Sequence, residues 1–216
     1  MNSFNDLIVS IVQIMPKSLV KIFSSKYIAG DKLDDAVRVV KELNRKGILA
    51  TMDVLGEAIT SKDEAIEAKK ECIEVIETIE KEKLNSNLSI KPTQFGLQLD
   101  EDFCYQQVEE LVIEAKKRNN FIRIDMEDSS CTDKTFTLVK RLKEKYDNVG
   151  VVVQAYLKRS LNDVKELSSV VKNFRLCKGI YIEPPEIAFK DKQQIRDNYL
   201  DILKFMFENN IYVGIA

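Results

Sequence analysis

The chain has 216 residues, enough for one large domain with a hydrophobic core. Its 33 basic and 35 acidic residues give a net charge of −2 without any basic block, which argues against a nucleic acid partner. The absence of histidine excludes histidine-based triads and histidine metal ligands, and the four cysteines lack CxxC spacing, so we expect no metal site and a reducing, cytoplasmic location.

Residues 1–32 are predicted to form an N-terminal helical segment. The apolar run LIVSIVQIM is too short to span a bilayer, and Asp6 rather than a basic cluster precedes it, which argues against a signal peptide. A first helix packed on the domain is the favoured interpretation. An amphipathic helix at a membrane surface is the alternative.

From residue 33 onward, helical and β-rich runs alternate. The predicted helices are Leu33–Arg45, a long helix from the capping box at Ser61 to about Lys83, Asp102–Arg118, Lys134–Tyr146 with Thr132 as N-cap, Leu161–Lys172 and Lys192–Asn209. The predicted strands are Ile48–Leu55, Asn87–Phe95, Phe121–Met126, Val149–Leu157, the run FRLCKGIYI from Phe174, and Ile211–Ala216. Such alternation predicts a parallel sheet covered by helices.

Side-chain parity separates a closed barrel from an open doubly wound sheet. In each strand the polar residues share one face and cluster toward the carboxyl end, as at the catalytic mouth of a barrel. No GxGxxG follows a strand, so the dinucleotide-binding fingerprint of a doubly wound sheet is absent. The sequence therefore predicts an α/β protein of the (β/α)8 TIM-barrel type. Residues 33–216 would form an incomplete barrel of about six strands that lacks its last strands.

The stretch FRLCKGIYIEPPE carries polar residues within an apolar strand. Strand alternation puts Arg175, Cys177, Gly179 and Tyr181 on one face, while Lys178 falls on the apolar face and is expected to reach out between helices. An arginine and a tyrosine on either side of a glycine predict a face that borders a binding site.

Five phrases of the chain resemble the flavin-dependent proline dehydrogenases of the monofunctional bacterial type, in the order of that family. They are TMDVLGEA, LSIKPTQFG, RIDMED, VVVQAYLKRS and FRLCKGIYIEPPEIAFKDK, and the resemblance runs from about Ile28 to Ala216. It implies a barrel that binds FAD noncovalently and oxidises L-proline to pyrroline-5-carboxylate by hydride transfer to the flavin, with a quinone as electron acceptor. Peripheral contact with the inner face of the membrane and oligomer formation stay open.

The resemblance also implies roles for individual residues. Gln154, Arg175, Gly179 and Tyr181 match positions that line the flavin, with Gly179 letting the flat ring approach the backbone. Lys91 matches the lysine that binds the proline carboxylate, and Asp125 matches an active-site aspartate; both are assigned to substrate and, with Arg175, to catalysis. A cationic Arg175 would stabilise negative charge developing on the reduced flavin.

The remaining interior charges are expected to be structural. Asp53 with Glu57, and Arg123 with Glu127, are predicted to form ion-pair layers within the barrel.

The family's last strands and a helix with paired arginines that bind the substrate carboxylate have no match before Ala216. We therefore expect weak or absent proline oxidation from the chain as written. Two alternatives stay open: a Schiff-base lyase of the aldolase type that uses Lys91 as nucleophile, and a non-catalytic truncated fragment.

Overall fold

The computed structural model describes residues 29–30, 32–56 and 59–216, so Glu57 and almost all of the predicted N-terminal segment lie outside the described residues. By its internal contacts the chain forms two compact units, the first ending at Ile48 and the second running over Leu49–Ala216. In the first unit, helix α1 spans Leu33–Arg45, as predicted, and is followed by Gly47 at φ +76°. The division at residue 32 stays a prediction.

The second unit is built on a parallel sheet of six strands whose spatial order is the sequence order. The strands are β1 (Ala50–Asp53), β2 (Ser86–Ile90), β3 (Ile122–Ile124), β4 (Val149–Gln154), β5 (Asn173–Cys177) and β6 (Tyr212–Ile215). This consecutive order is that of a (β/α)8 barrel rather than a doubly wound sheet, in which the order reverses. The predicted incomplete barrel of six strands is confirmed.

A helix follows each of the first five strands. They are α2 (Lys62–Lys81), α3 (Glu101–Lys117), α4 (Thr132–Lys143), α5 (Ser160–Leu167) and α6 (Lys192–Glu208), with a short 3₁₀ helix over Pro92–Phe95. The capping box at Ser61 is confirmed, because the Ser61 hydroxyl accepts a hydrogen bond from the Glu64 backbone N–H. Among the described residues, no helix has the length and apolar character needed to cross a bilayer.

Several predicted element ends are wrong: β4 ends at Gln154 rather than Leu157, α5 ends at Leu167 rather than Lys172, and three other ends have clear local causes. β2 ends before Lys91, because Pro92 has no N–H for the ladder and begins the 3₁₀ helix instead. β5 ends at Cys177, and Gly179 follows at φ +116°, a conformation outside the strand region. Thr132 lies inside α4 rather than capping it, and its hydroxyl donates to the Asp128 carbonyl at 3.1 Å.

The two faces of the strands differ in chemistry as the parity predicts, although side chains on both faces are largely buried. The apolar residues of one face pack under the helices and are fully or almost fully buried: Leu88, Ile90, Ile122, Ile124, Val151, Val153, Phe174 and Leu176. The polar residues of the other face point into the barrel interior. Burial of the apolar face stabilises the sheet by about 25 cal/mol for each Å² of apolar surface removed from water, and it fixes the direction of the interior side chains.

Candidate active site

One cavity of about 460 Å³ collects the predicted site residues at the carboxyl ends of the strands. Its lining includes all six of them: Lys91, Asp125, Gln154, Arg175, Gly179 and Tyr181. These residues lie on or just after β2, β3, β4 and β5, so the parallel sheet brings together positions that are up to 90 residues apart in sequence. The prediction that they share one site agrees with this geometry, while their individual roles stay predictions.

A row of alternating charges crosses this cavity. Lys91 Nζ lies 2.5 Å from Asp53 Oδ2 and 3.9 Å from Asp125 Oδ2, and Arg175 Nη2 donates to Asp125 Oδ1 at 2.7 Å. The hydroxyl of Ser89 donates to the same Asp125 oxygen at 2.5 Å. The sheet register contributes to the row, because Asp53 pairs with Ser89, two residues before Lys91, and the Asp125 N–H donates to the Ile90 carbonyl at 2.8 Å.

Asp125 is the more deeply buried of the two carboxylates in the row. Its side chain is 13% exposed, and burial raises its pKa above the ordinary aspartate value. The positive charge of Arg175, the hydrogen bond from Ser89 and the charge of Lys91 each offset part of that rise. Burial thus favours the protonated form of Asp125, while the two neighbouring cations and the Ser89 hydroxyl favour the carboxylate.

Gln154 braces two loops of the site through both ends of its amide. Its Nε2 donates to the carbonyls of Met126 and Glu127 at 3.0 and 2.9 Å, and its Oε1 accepts from the Ile180 N–H at 3.2 Å. The side chain is buried, so these bonds fix the loop after β3 against the loop after β5. The predicted flavin contact of Gln154 stays a prediction, and it has to be compatible with these three bonds.

Gly179 is constrained by the protein itself. A Cβ at this position would lie 2.0 Å from Cδ1 of Tyr156, so the tyrosine ring already occupies the space that a side chain would need. The backbone also bonds here, because the Tyr156 N–H donates to the Lys178 carbonyl at 2.8 Å. The structure thus gives a reason for glycine at this position that does not require a ligand.

Sequence reasoning missed a clamp between the same two loops. The Glu183 carboxylate is buried and accepts from the Ser129 N–H at 2.6 Å and from the Ser129 hydroxyl at 2.7 Å. Lys190 Nζ donates to the Glu183 backbone carbonyl. The 54 residues between Ser129 and Glu183 leave no local signal for this contact, although an acidic residue directly before two prolines could have been flagged.

Two expectations about the interior charges are wrong. Glu127 does not pair with Arg123; its carboxylate accepts from the Thr93 N–H and hydroxyl at 3.0 and 2.5 Å. Lys178 does not pass between helices, because the strand has already ended, and it is an exposed residue of the cavity lining. Asp53 pairs with Lys91 inside the site, and the predicted layer with Glu57 lies outside the described residues.

Arg123 lies lower in the barrel, next to a second cavity. Its guanidinium is buried, packs 4.9 Å from the Phe121 ring centre and donates to the Asn173 carbonyl at 3.3 Å. Burial and the nearby Arg175 lower the pKa of Arg123 to about 10.

The second cavity, next to Arg123, is larger, about 700 Å³, but it opens at the amino ends of the strands, around Asn85 and Asn120. Barrel active sites form at the carboxyl ends, so we assign the smaller cavity as the candidate site.

Comparison with known proteins identifies the family. The family model described as proline dehydrogenase matches residues 36–216. Proline dehydrogenase 2 of Bacillus subtilis subsp. natto is 36% identical over 91% of this chain and 64% of its own length, and proline dehydrogenase of Deinococcus radiodurans is 31% identical over 89% and 64%. The chain thus spans about two thirds of these curated relatives.

A solved structure supports the fold. Proline utilization A from Bdellovibrio bacteriovorus superimposes with a TM-score of 0.82 at 23% identity, over 93% of this chain and 26% of that protein. At this identity the similarity bears on the architecture alone, and the architecture is the one built above. The family model covers most of the chain, including every strand and every residue of the candidate site, and the chain therefore belongs to the proline dehydrogenase family.

Proposed function

We propose that this chain binds FAD and L-proline at the cavity described above and oxidises proline to pyrroline-5-carboxylate. The observation that carries the proposal is the convergence of Lys91, Asp125 and Arg175 with the loop over Gly179–Tyr181 around one cavity. The family membership supports the substrate, since the curated relatives are proline dehydrogenases. Because the chain spans 64% of those relatives, the activity of the whole enzyme is part of the proposal.

The residues present fit a flavin ring. The cavity volume falls within the range of about 300–1,000 Å³ that small-molecule sites occupy. Its wall combines the aromatic Tyr181, the apolar Met126 and Val152, and the cationic Arg175, a combination suited to a flat, partly polar ring. Arg175, Gly179, Tyr181 and Gln154 are the residues we assign to holding it. When bound, FAD supplies the acceptor for the hydride.

The charged residues then act on the substrate. We assign Lys91 to the proline carboxylate, because its ammonium is the cation nearest the end of β2 and is only 12% exposed. Asp125 orients Arg175 through their 2.7 Å ion pair and offers a carboxylate beside the substrate. Arg175 keeps a positive charge at the cavity wall, where it favours anionic groups that form nearby.

The aldolase-type alternative is not favoured. A Schiff-base lysine must lose its proton to attack a carbonyl, which burial or a neighbouring cation promotes. Lys91 instead lies between two carboxylates, Asp53 at 2.5 Å and Asp125 at 3.9 Å, and both stabilise its charged form. Quinone as electron acceptor, a cytoplasmic location, membrane contact and oligomer formation stay predictions.

An anaerobic titration of the FAD-loaded chain with L-proline tests the proposal. In keeping with the weak oxidation expected from the sequence, we expect the visible absorption band of the flavin to bleach slowly as proline is added, and we expect Arg175→Met to weaken this bleaching by tenfold or more. Arg141→Met is the matched control, because Arg141 packs on Tyr105 and pairs with Asp102 on the outside of the barrel. A chain that binds FAD but shows no bleaching would contradict the proposed activity, and a chain that binds no FAD would contradict the cofactor site.

A further inference from the structure

Asp53 contacts the candidate site through a single ion pair, with Lys91. It is the last residue of β1, on the interior face, and its carboxylate lies 2.5 Å from Lys91 Nζ. Within the described ranges, this is the only polar partner of the Asp53 side chain. Asp125, the second carboxylate near Lys91, is held in addition by Arg175 and Ser89. The two carboxylates around Lys91 are therefore fixed to very different degrees.

Burial separates the two carboxylates in the same way. The side chain of Asp53 is 33% exposed, while those of Lys91 and Asp125 are 12% and 13% exposed. Asp53 thus covers the ammonium from the solvent side. If Asp53 moves away from Lys91, hydration of the Asp53 carboxylate can offset most of the free energy lost with the ion pair. Displacement of Asp125 would instead break a buried network of hydrogen bonds and ion pairs.

We propose that Asp53 is the counter-ion that a substrate carboxylate replaces at Lys91. It acts as a positioning residue: in the absence of substrate it compensates the charge of Lys91 and keeps the ammonium at the end of β2, and it gives way when the ligand's carboxylate arrives. This inference rests on the proposed function, because it takes Lys91 as the carboxylate-binding residue. It adds Asp53 to the site residues and predicts that Asp53 lowers the affinity for the substrate, because the two carboxylates compete for Lys91.

If Asp53 competes with the substrate, removal of its charge should raise the affinity for a carboxylate ligand, which a purely structural role would not predict. Asp53→Asn keeps the size and an oxygen acceptor but removes the charge, so a carboxylate ligand should bind more tightly. The strength of partly exposed ion pairs sets the expected gain at about three- to fivefold, and it should shrink as salt screens the site. If Asp53 only supported the fold, the same change would leave binding unaltered or weaken it.

The probe is cyclopentanecarboxylate, which has the five-membered ring and the carboxylate of proline but no amine to oxidise. Its affinity is measured by calorimetry on the FAD-loaded and the FAD-free chain, with the shift of the flavin absorption as a second readout. Asp53→Glu keeps the charge and should stay within twofold of the original chain. Asp147→Asn makes the same chemical change at the opposite end of the sheet, where Asp147 pairs with Lys116 on the surface, and should also stay within twofold.

Two results would overturn the inference. One is a folded Asp53→Asn protein, checked by thermal melting, that binds the probe no better than the original chain. The other is an equal gain for cyclopentanecarboxamide, which lacks the charge. Failure of the proposed function gives a different pattern, because the original chain would then show no flavin reduction by proline while the gain on Asp53→Asn persists. A chain that binds no carboxylate at all would contradict both.

Discussion

Gly179→Ala distinguishes two reasons for the glycine in the loop after β5. If Gly179 serves only the approach of a flavin ring, the substitution should leave the stability of the FAD-free chain unchanged. The geometry predicts otherwise, because the new methyl group would lie 2.0 Å from a carbon of the Tyr156 ring. We therefore expect the FAD-free chain itself to be destabilised.

The expected loss of stability has two parts. Alanine at φ +116° carries backbone strain of about 1–3 kcal/mol. Relief of the clash must also move a ring that is 5% exposed, and complete loss of a buried aromatic side chain costs about 3–5 kcal/mol. Since the ring can shift without losing all of its packing, we expect the free energy of unfolding to fall by about 3 kcal/mol.

Urea unfolding of the FAD-free chain followed by circular dichroism measures this loss. Tyr156→Ala and the double variant complete a mutant cycle. Because Tyr156→Ala removes the clash, the double variant should lose at least about 1 kcal/mol less than the sum of the two single losses. A Gly179→Ala protein within about 0.5 kcal/mol of the original chain, or strictly additive losses, would refute the steric argument and leave the flavin as the reason for the glycine.

Two further predictions concern titratable groups. Burial raises the pKa of Asp125, so its contribution to stability is fully present below the unfolded pKa of about 3.9 and is lost as pH rises through the raised folded value. Urea unfolding from pH 4 to 8 should therefore show the original chain losing stability relative to Asp125→Asn. The opposite trend would contradict this assignment. Cys177 lines the cavity and is only half-buried, whereas Cys72 and Cys104 are buried; burial raises the pKa of all three thiols, to about 12 for Cys72 and Cys104. Iodoacetamide should therefore label Cys177 first, as followed by mass spectrometry, and FAD should slow that reaction; equal rates at the three thiols would count against the cavity.

The sequence was sufficient for the fold because its main signals are local. The alternation of buried and interior residues in runs such as FIRIDM follows from the period of a strand, and the cap at Ser61 follows from residues three positions apart. The ends of β2 and β5 were harder to place, because the same apolar alternation continues into Pro92–Phe95 and past Gly179. Backbone chemistry at Pro92 and Gly179 ends the ladder there.

The candidate site was predicted in its members but not in its contacts. Arg175 and Lys91 could be recognised from the phrases that surround them. The pairing of Asp53 with Lys91 depends on the register of β1 against β2, and the clamp of Glu183 on Ser129 depends on two loops that are neighbours only in space. Burial also decides what Gln154 does, because both ends of its amide are satisfied inside the protein. None of these facts has a local signature.

The consecutive order of the strands has a consequence for how the chain can be made. Each strand pairs with the one synthesised just before it, as Leu88 does with Ile122, 34 residues later. None of the six described strands has to be inserted between two that already exist, so the sheet can grow one strand and one helix at a time from the N-terminal side as the chain leaves the ribosome. The site forms late in this sequence, since the row of charges is complete only when β5 brings Arg175 to Asp125. In this order Asp125 is already in place when Arg175 arrives, so the positive charges of Lys91 and Arg175 come together only with the carboxylate between them.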